Sequence, residues 1–320
     1  MKTLERYDVP TGSIFVVEGA KGKLEMLSLG DYGKDVNLNQ NKPVPDGLPL
    51  LPLTEKWVVT ISTQYGCSMK CSFCDVPKVG PGINATLNDL QSQILTALTL
   101  PDVPKWSKRL NIHFARMGEP TWNPAVLDCG KWIAEHLMAE YNPHPVVSTM
   151  MPKHNEWLKT FIHTWMRLKN RVFNGNAGLQ LSINSTNQVQ RDLMFNRNAC
   201  SLHEIANIMR GIVPVGRKIT LNFVVAGYEV DCNLLADLFS PELYVVKLTP
   251  MHQTASAISN GLSTSGDATT PEPYMKMDYE MKKAGFETLV FIASREEDEG
   301  RITCGNAILS GTRPFDKEGS

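Results

Sequence analysis

Between residues 58 and 292 the sequence alternates short β-branched stretches with longer stretches of helical period. Repeated βα units of this kind lead to a parallel sheet with helices packed outside it. Strands are predicted at 58–62, 110–115, 145–148, 178–183, 219–225, 244–248 and 288–292. Helices are predicted between them. One follows the helix-start run Thr86-Leu87-Asn88-Asp89, with Leu90, Ile94, Leu95 and Leu98 on one face. Others carry Val126, Trp132, Ile133 and Leu137, or span 154–168, 234–239 and 275–284. Ser201-Leu202-His203-Glu204 is a capping box ahead of Ile205, Ile208 and Met209. The fold class is therefore α/β, and a partial or full (β/α) barrel fits the count, with functional residues expected at the strand C-termini. Residues 1–55 stand outside the repeat as a small β region and loop, punctuated by Gly30-Asp31-Tyr32-Gly33 and Pro43-Val44-Pro45-Asp46-Gly47. The barrel is assigned to 56–294 and a C-terminal segment to 295–320. Residues 256–270, rich in Ser, Thr, Gly and Ala, read as a mobile loop.

The first predicted strand runs into Gly66-Cys67-Ser68-Met69-Lys70-Cys71-Ser72-Phe73-Cys74. Cys67, Cys71 and Cys74 have the spacing C-x-x-x-C-x-x-C, and an aromatic precedes the last of them. Four-Cys [4Fe–4S] clusters shuttle electrons. Three Cys ligands leave one iron without a protein ligand. That iron can chelate the amino and carboxylate groups of S-adenosylmethionine (SAM) and pass an electron into its sulfonium. The alternatives are a structural zinc site or three buried thiols. Zinc ordinarily takes a fourth Cys or His at a regular offset, and none follows here.

At 320 residues, with 42% hydrophobic and 20% charged residues, the chain is long enough for a sizeable core. No apolar run approaches the ~20 residues that span a bilayer. The first eight residues lack the basic-then-apolar order of a signal peptide. Seven cysteines, an odd number, argue for a reducing compartment rather than a disulfide framework. The expectation is a cytoplasmic protein without a membrane partner, monomeric by default. The net charge of −1 is unevenly spread: residues 151–220 hold ten basic residues against Glu156, Asp192 and Glu204, a local +7. Such a stretch is either a phosphate-binding face or a set of solvated helix faces.

Several ordered motifs carry a resemblance over most of 55–312. They are Ser62-Thr63-Gln64-Tyr65-Gly66-Cys67, Met117-Gly118-Glu119-Pro120, Val147-Ser148-Thr149, Leu181-Ser182-Ile183-Asn184-Ser185-Thr186-Asn187, Leu248-Thr249-Pro250-Met251-His252 and Ile302-Thr303-Cys304-Gly305-Asn306. Together they resemble the radical-SAM rRNA adenine methyltransferases, the RlmN/Cfr family. The resemblance implies a radical-SAM partial barrel and a [4Fe–4S] cluster on Cys67, Cys71 and Cys74. It implies SAM contacts from Gly118, Glu119, Ser148, Ser182, Asn184 and His252. Cys304 matches the Cys that is methylated during turnover and carries the methyl group to carbon 2 or carbon 8 of an adenine. Glu25, in Lys23-Leu24-Glu25-Met26-Leu27, resembles the family's acid/base Glu. Read singly, Met117-Gly118-Glu119-Pro120 is as well explained by a turn with a carboxylate cap, and Cys304 by a small buried hydrophobe. Cys129, Cys200 and Cys232 have no functional context and read as structural.

Two departures qualify the resemblance. Thr60 stands where the family has a second Cys that resolves the protein–RNA adduct, and a hydroxyl is no disulfide partner. About sixty residues precede the cluster motif, short for the family's N-terminal RNA-binding module, so RNA contact would fall to the barrel face and the +7 stretch. The implied partners are adenine-containing RNA and an electron donor such as flavodoxin or ferredoxin. The alternatives are an enzyme of the same lineage acting on a free nucleotide or peptide, or a non-catalytic cluster- and SAM-binding protein.

Overall fold

The structure, a computed structural model, describes residues 1–31, 50–264, 272–291 and 295–314. The turn residues Tyr32-Gly33 and Pro43-Val44-Pro45-Asp46-Gly47, and the last part of the 256–270 stretch, lie outside the described residues. The chain opens as an antiparallel meander of β1 (Lys2–Val9), β2 (Gly12–Gly19) and β3 (Gly22–Leu29). β3 pairs antiparallel with β4 (Trp57–Ile61), so the N-terminal strands continue the main sheet. From β4 onward every pairing in that sheet is parallel, through β7 (Ser107–Phe114), β8 (Tyr141–Thr149), β9 (Gly178–Ser182), β10 (Ile219–Val225), β11 (Tyr244–Pro250) and β12 (Glu287–Val290). The order of the ten strands is β1-β2-β3-β4-β7-β8-β9-β10-β11-β12, with β1 and β12 at opposite ends: a partial barrel. A separate hairpin of β5 (Gln64–Gly66) and β6 (Pro81–Asn84) brackets the cysteine loop.

Strand alternation separates the two faces of the sheet. Val59, Ile61, Ile112, Phe114, Leu221, Phe223, Val246 and Leu248 are all fully buried toward the helices. Edge-to-face contact of Phe114 with Trp165 marks that layer. Burial of each such side chain stabilises the fold by roughly 1.5–3 kcal/mol. The intervening residues Thr60, His113, Ser148, Gln180, Asn222 and Lys247 are polar and only half-buried on the inner face. The register places Thr60 beside His113, Ser148 beside Gln180, and Asn222 between Ser182 and Lys247. The barrel therefore has a greasy outside and a polar, accessible inside.

The predicted helix starts at Thr86 and Ser201 are complete capping boxes for α1 (Leu87–Leu98) and α5 (Leu202–Met209). The helix predicted from 154 begins instead at Leu158 as α3 (Leu158–Arg167). The Asn155 side chain accepts the Trp157 N–H at 3.1 Å, a local turn that competes with the helix. Part of the predicted mobile loop is ordered as α7 (Ala255–Ser259), because Asp75 accepts the N–H groups of Ala255 and Ser256 at its start. The acidic run at 296–299 falls in α9 (Arg295–Glu299). The +7 stretch is not one basic face. Lys169 is buried and donates to the carbonyls of Gly175 and Val215. Arg191 is buried and donates to those of Ile183 and Cys200. Lys218 pairs with Glu287 at 2.7 Å. Among the described residues no helix is long and apolar enough to cross a membrane.

Candidate functional site

The cysteine loop leaves the C-terminal end of β4 through β5, where the rule for parallel barrels places chemistry. Its backbone is tied down on every side. The Cys67 N–H donates to Gly80 O at 3.2 Å, and the Ser72 N–H to Met194 O at 2.9 Å. Asn198 and Asn260 donate to the carbonyls of Met69 and Ser72 at 3.1 and 2.8 Å. Thr254 donates to Phe73 O at 2.7 Å. Lys70 turns the loop with φ +54°.

Cys67 and Cys71 are buried and Cys74 is half-buried. Burial pushes the Cys67 thiol up to about 12, against the Met69 and Gly118 N–H groups that favour its thiolate. Burial, then repulsion among Cys67, Cys71 and Cys74, raises Cys71 and Cys74 well above the ordinary thiol range. Three thiols close enough to repel one another, and withdrawn from water, need a positive group to exist as thiolates. Iron supplies that charge, so the donor set fits a cluster. Among the described residues no three His, Cys, Asp or Glu side chains converge as ligands of a single metal ion. A cluster, in which each cysteine binds a different iron, has no such requirement.

The Met117-Gly118-Glu119-Pro120 turn lies directly behind this loop. Thr63 and Gln64 donate their N–H groups to Met117 O at 2.8 and 3.2 Å. The Gln64 amide oxygen accepts from Ser68 Oγ at 3.2 Å and from the Glu119 N–H at 3.0 Å, joining cluster loop to turn. Gly118 has φ +95°, and a Cβ there would meet Gln64 Cβ at 2.5 Å. Glu119 is buried. One carboxylate oxygen accepts from the Thr121 N–H and hydroxyl at 3.0 and 2.7 Å, and the other from the Met150 N–H at 2.8 Å. Burial raises its pKa despite these donors.

Of the remaining sequence-predicted residues, Ser148 and Ser182 lie on the inner face at the ends of β8 and β9. Asn184 (φ +61°) uses its amide locally, accepting the Val224 N–H at 3.1 Å and donating to Met194 sulfur at 3.1 Å. His252 Nδ1 lies 3.0 Å from Asp298 Oδ1, without hydrogen-bond alignment, so it faces the C-terminal segment.

That segment brings Cys304 to the cluster loop. The Asp75 N–H donates to Gly305 O at 2.9 Å, and a Cβ on Gly305 would meet Phe73 O at 3.7 Å and Cys74 Cα at 3.9 Å. Ile302 and Ile308 pack with Val9, Ile14, Leu27 and Leu29 of the N-terminal strands and Val58 of β4. The Cys304 side chain is exposed. Desolvation by neighbouring protein raises its thiol pKa, opposed by the positive charges of Arg116 and Lys247 and by the Gly305 N–H. Lys247 in turn lies 5.0 Å from the centre of the Phe291 ring.

Glu25, the residue that resembles the family's acid/base Glu, lies on β3. It is fully buried, and Oε1 accepts from Arg116 Nε and Nη2 at 3.1 and 2.7 Å. Oε2 accepts the Leu309 N–H at 2.7 Å. Both oxygens are engaged, and the carboxylate anchors the C-terminal segment. Arg116, Gln64, Asp298 and Lys247 are the site residues that sequence reasoning missed. Arg116 sits in full view beside Met117-Gly118, but nothing in the sequence pairs it with Glu25.

Known proteins share parts of this arrangement. A segment of the chain is 30% identical over 123 residues to "Dual-specificity RNA methyltransferase RlmN" of Nitratiruptor sp., covering 37% of this chain and 34% of that protein. Another match is 26% identical over 190 residues to the RlmN of Anaeromyxobacter dehalogenans, covering 55% of this chain and 46% of that protein. Over these segments the chain is similar to RlmN proteins. No family profile matches it. The crystal structure of a radical SAM methyltransferase from Sphaerobacter thermophilus superposes with a TM-score of 0.67 at 20% identity, covering 95% of this chain and 80% of that one. This likeness shows the fold alone: the chain is a partial barrel like that protein. The chain spans about a third to a half of the length of the two curated relatives.

Proposed function

We propose that this protein is a radical-SAM methyltransferase that carries its methyl group on Cys304 and delivers it to a ring carbon of adenine in RNA. The observation that carries the reading is the seating of Cys304, from the far end of the chain, against the loop of Cys67, Cys71 and Cys74. When bound, a [4Fe–4S] cluster held by those three thiolates supplies an open iron for SAM and one electron for its cleavage. A reductase such as flavodoxin or ferredoxin is the proposed source of that electron. Gly118, Ser148 and Ser182 stand around the same mouth as candidate SAM contacts, and Glu119 fixes the turn on which Gly118 sits.

Cys304 does the polar half of the work. Its thiolate attacks the SAM methyl carbon; a sulfur–carbon bond forms, the sulfonium–methyl bond breaks, and S-adenosylhomocysteine leaves. Arg116 and Lys247 supply the positive field that favours the thiolate. Adenine ring carbons are poor nucleophiles, so a carrier thiol that presents its methyl group for radical activation is suited to them. Thr60 lies on the inner face of β4 as a hydroxyl, so product release proceeds without a disulfide between that position and Cys304.

Peptide mass spectrometry after anaerobic reconstitution and reaction with SAM and dithionite tests the reading, with 5′-deoxyadenosine assayed alongside. A methyl group on Cys304 is expected, and its loss in Cys304→Ala together with transfer to RNA. A Cys304→Ala protein that still methylates substrate refutes the carrier role. A second reading, action on a free nucleotide or peptide, is favoured by the dispersal of the +7 stretch. A steep fall of RNA affinity with salt separates the two in favour of RNA.

A further inference from the structure

The Cys304 segment is held at the barrel mouth by a buried ion pair. Arg116 follows β7, its N–H donating to Ile61 O at 3.1 Å, and its side chain is almost wholly enclosed. The guanidinium reaches three acceptors at once. Nε and Nη2 bind Glu25 Oε1, Nη2 also reaches Arg301 O at 2.6 Å, and Nη1 reaches Thr303 O at 3.4 Å. Glu25 completes the grip from the other side through Leu309 N–H, and its own carbonyl accepts from Ser62 Oγ at 2.6 Å. Two carbonyls before Cys304 and one amide after it are thus fastened to a single charged pair.

This is a costly way to hold a surface segment. Withdrawing both charges from water is repaid only where good geometry adds further hydrogen bonds, and here the pair also engages the carbonyls of Arg301 and Thr303 and the Leu309 N–H. The planar guanidinium fork serves a carboxylate and two divergent carbonyls from three separate nitrogens, whereas an ammonium must present its donors from a single atom. The same residue is continuous with Met117-Gly118-Glu119. The turn behind the cluster loop and the segment bearing Cys304 are therefore coupled through one side chain.

We infer that Arg116, locked by Glu25, is the positioning residue that sets Cys304 opposite the cluster loop. The inference rests on the methyl-carrier reading for its chemical consequence, but its structural content stands apart from that reading. A displacement of about 1 Å in a reacting group can cost on the order of 100-fold in rate. Arg116 fixes the position of the Cys304 backbone on that scale.

The test uses the full-length, anaerobically reconstituted protein and the variants Arg116→Gln, Arg116→Lys and Arg116→Ala. Two quantities are read: hydrogen exchange of peptides spanning 301–309, and the rate of methyl incorporation on Cys304, with iron content and 5′-deoxyadenosine formation alongside. Arg116→Gln should lose protection at 301–309 and about 100-fold in Cys304 methylation, while keeping its iron and its cleavage of SAM. Arg116→Lys should fall between, and guanidinium added to Arg116→Ala should restore both protection and methylation. Unchanged exchange at 301–309 in Arg116→Gln overturns the inference whether or not Cys304 is ever methylated. Loss of protection throughout the barrel, unrelieved by guanidinium in Arg116→Ala, also overturns it, because Arg116 would then serve the fold at large. If the wild type shows no methyl on Cys304 but the exchange pattern holds, the carrier reading fails and the positioning role survives.

Discussion

Replacing Gly118 by alanine separates two penalties that usually come together. Gly118 has φ +95°, a conformation L-residues rarely adopt, and a Cβ there would stand 2.5 Å from Gln64 Cβ, 2.6 Å from Gln64 Cγ and 2.7 Å from Gln64 N. Gly227 has φ +72°, but a Cβ there would meet nothing within 4 Å. The conformational cost, roughly 1–2 kcal/mol, is common to both. Crowding is particular to Gly118, and because one of the clashing atoms is backbone it cannot be relieved by a rotamer change. That adds roughly 1–3 kcal/mol. Gly118→Ala should therefore lose about 2–5 kcal/mol against about 1–2 for Gly227→Ala. Urea denaturation of the two variants beside the parent measures the difference. Gln64 bridges Ser68 to Glu119, so Gly118→Ala should also reduce iron retained after reconstitution, and Gly227→Ala should not. Equal destabilisation of the two variants would refute the crowding argument.

Glu25→Gln leaves Arg116 buried with its charge uncompensated and should cost about 3–5 kcal/mol in the same denaturation assay. Ser201→Ala removes the acceptor for the Glu204 N–H at the start of α5 and should cost about 1 kcal/mol, read as a lower urea midpoint. Burial alone would raise the Asp298 pKa, but His252, Thr303 and the Gln253 N–H outweigh it, so the folded value lies below the ordinary carboxylate value. Stability from Asp298 is thus present above that ordinary value and lost as pH falls through the lowered one. Protection factors at 301–309, taken relative to the intrinsic exchange rate at each pH, should fall on acidification in the parent, and this pH dependence should be weakened in Asp298→Asn.

Much of the fold is legible in the chain because it is written locally. β-Branched stretches alternate with helical-period ones, Thr86 and Ser201 carry their caps, and each predicted strand from 58 to 292 has a counterpart in the sheet. The cysteine loop is a local feature for the same reason: its three cysteines lie within eight residues. Local signals fail where a distant partner decides the outcome. α7 forms inside a stretch that reads as loop because, beyond its own Thr254 cap, Asp75 accepts its first two N–H groups from far along the chain. Lys169 and Arg191 count as surface charge in a sequence, yet in the fold they satisfy buried carbonyls.

The order of amino acids is enough to establish an α/β chain with repeated βα units and a three-cysteine loop at the end of the first parallel strand, because periodicity and spacing are properties of neighbours. It takes the folded chain to show that Glu25 is bound to Arg116, that the pair grips the segment around Cys304, and that this thiol reaches the cluster loop. Those contacts join residues from the two ends of the chain, and their strength comes from being buried together, which no local pattern encodes.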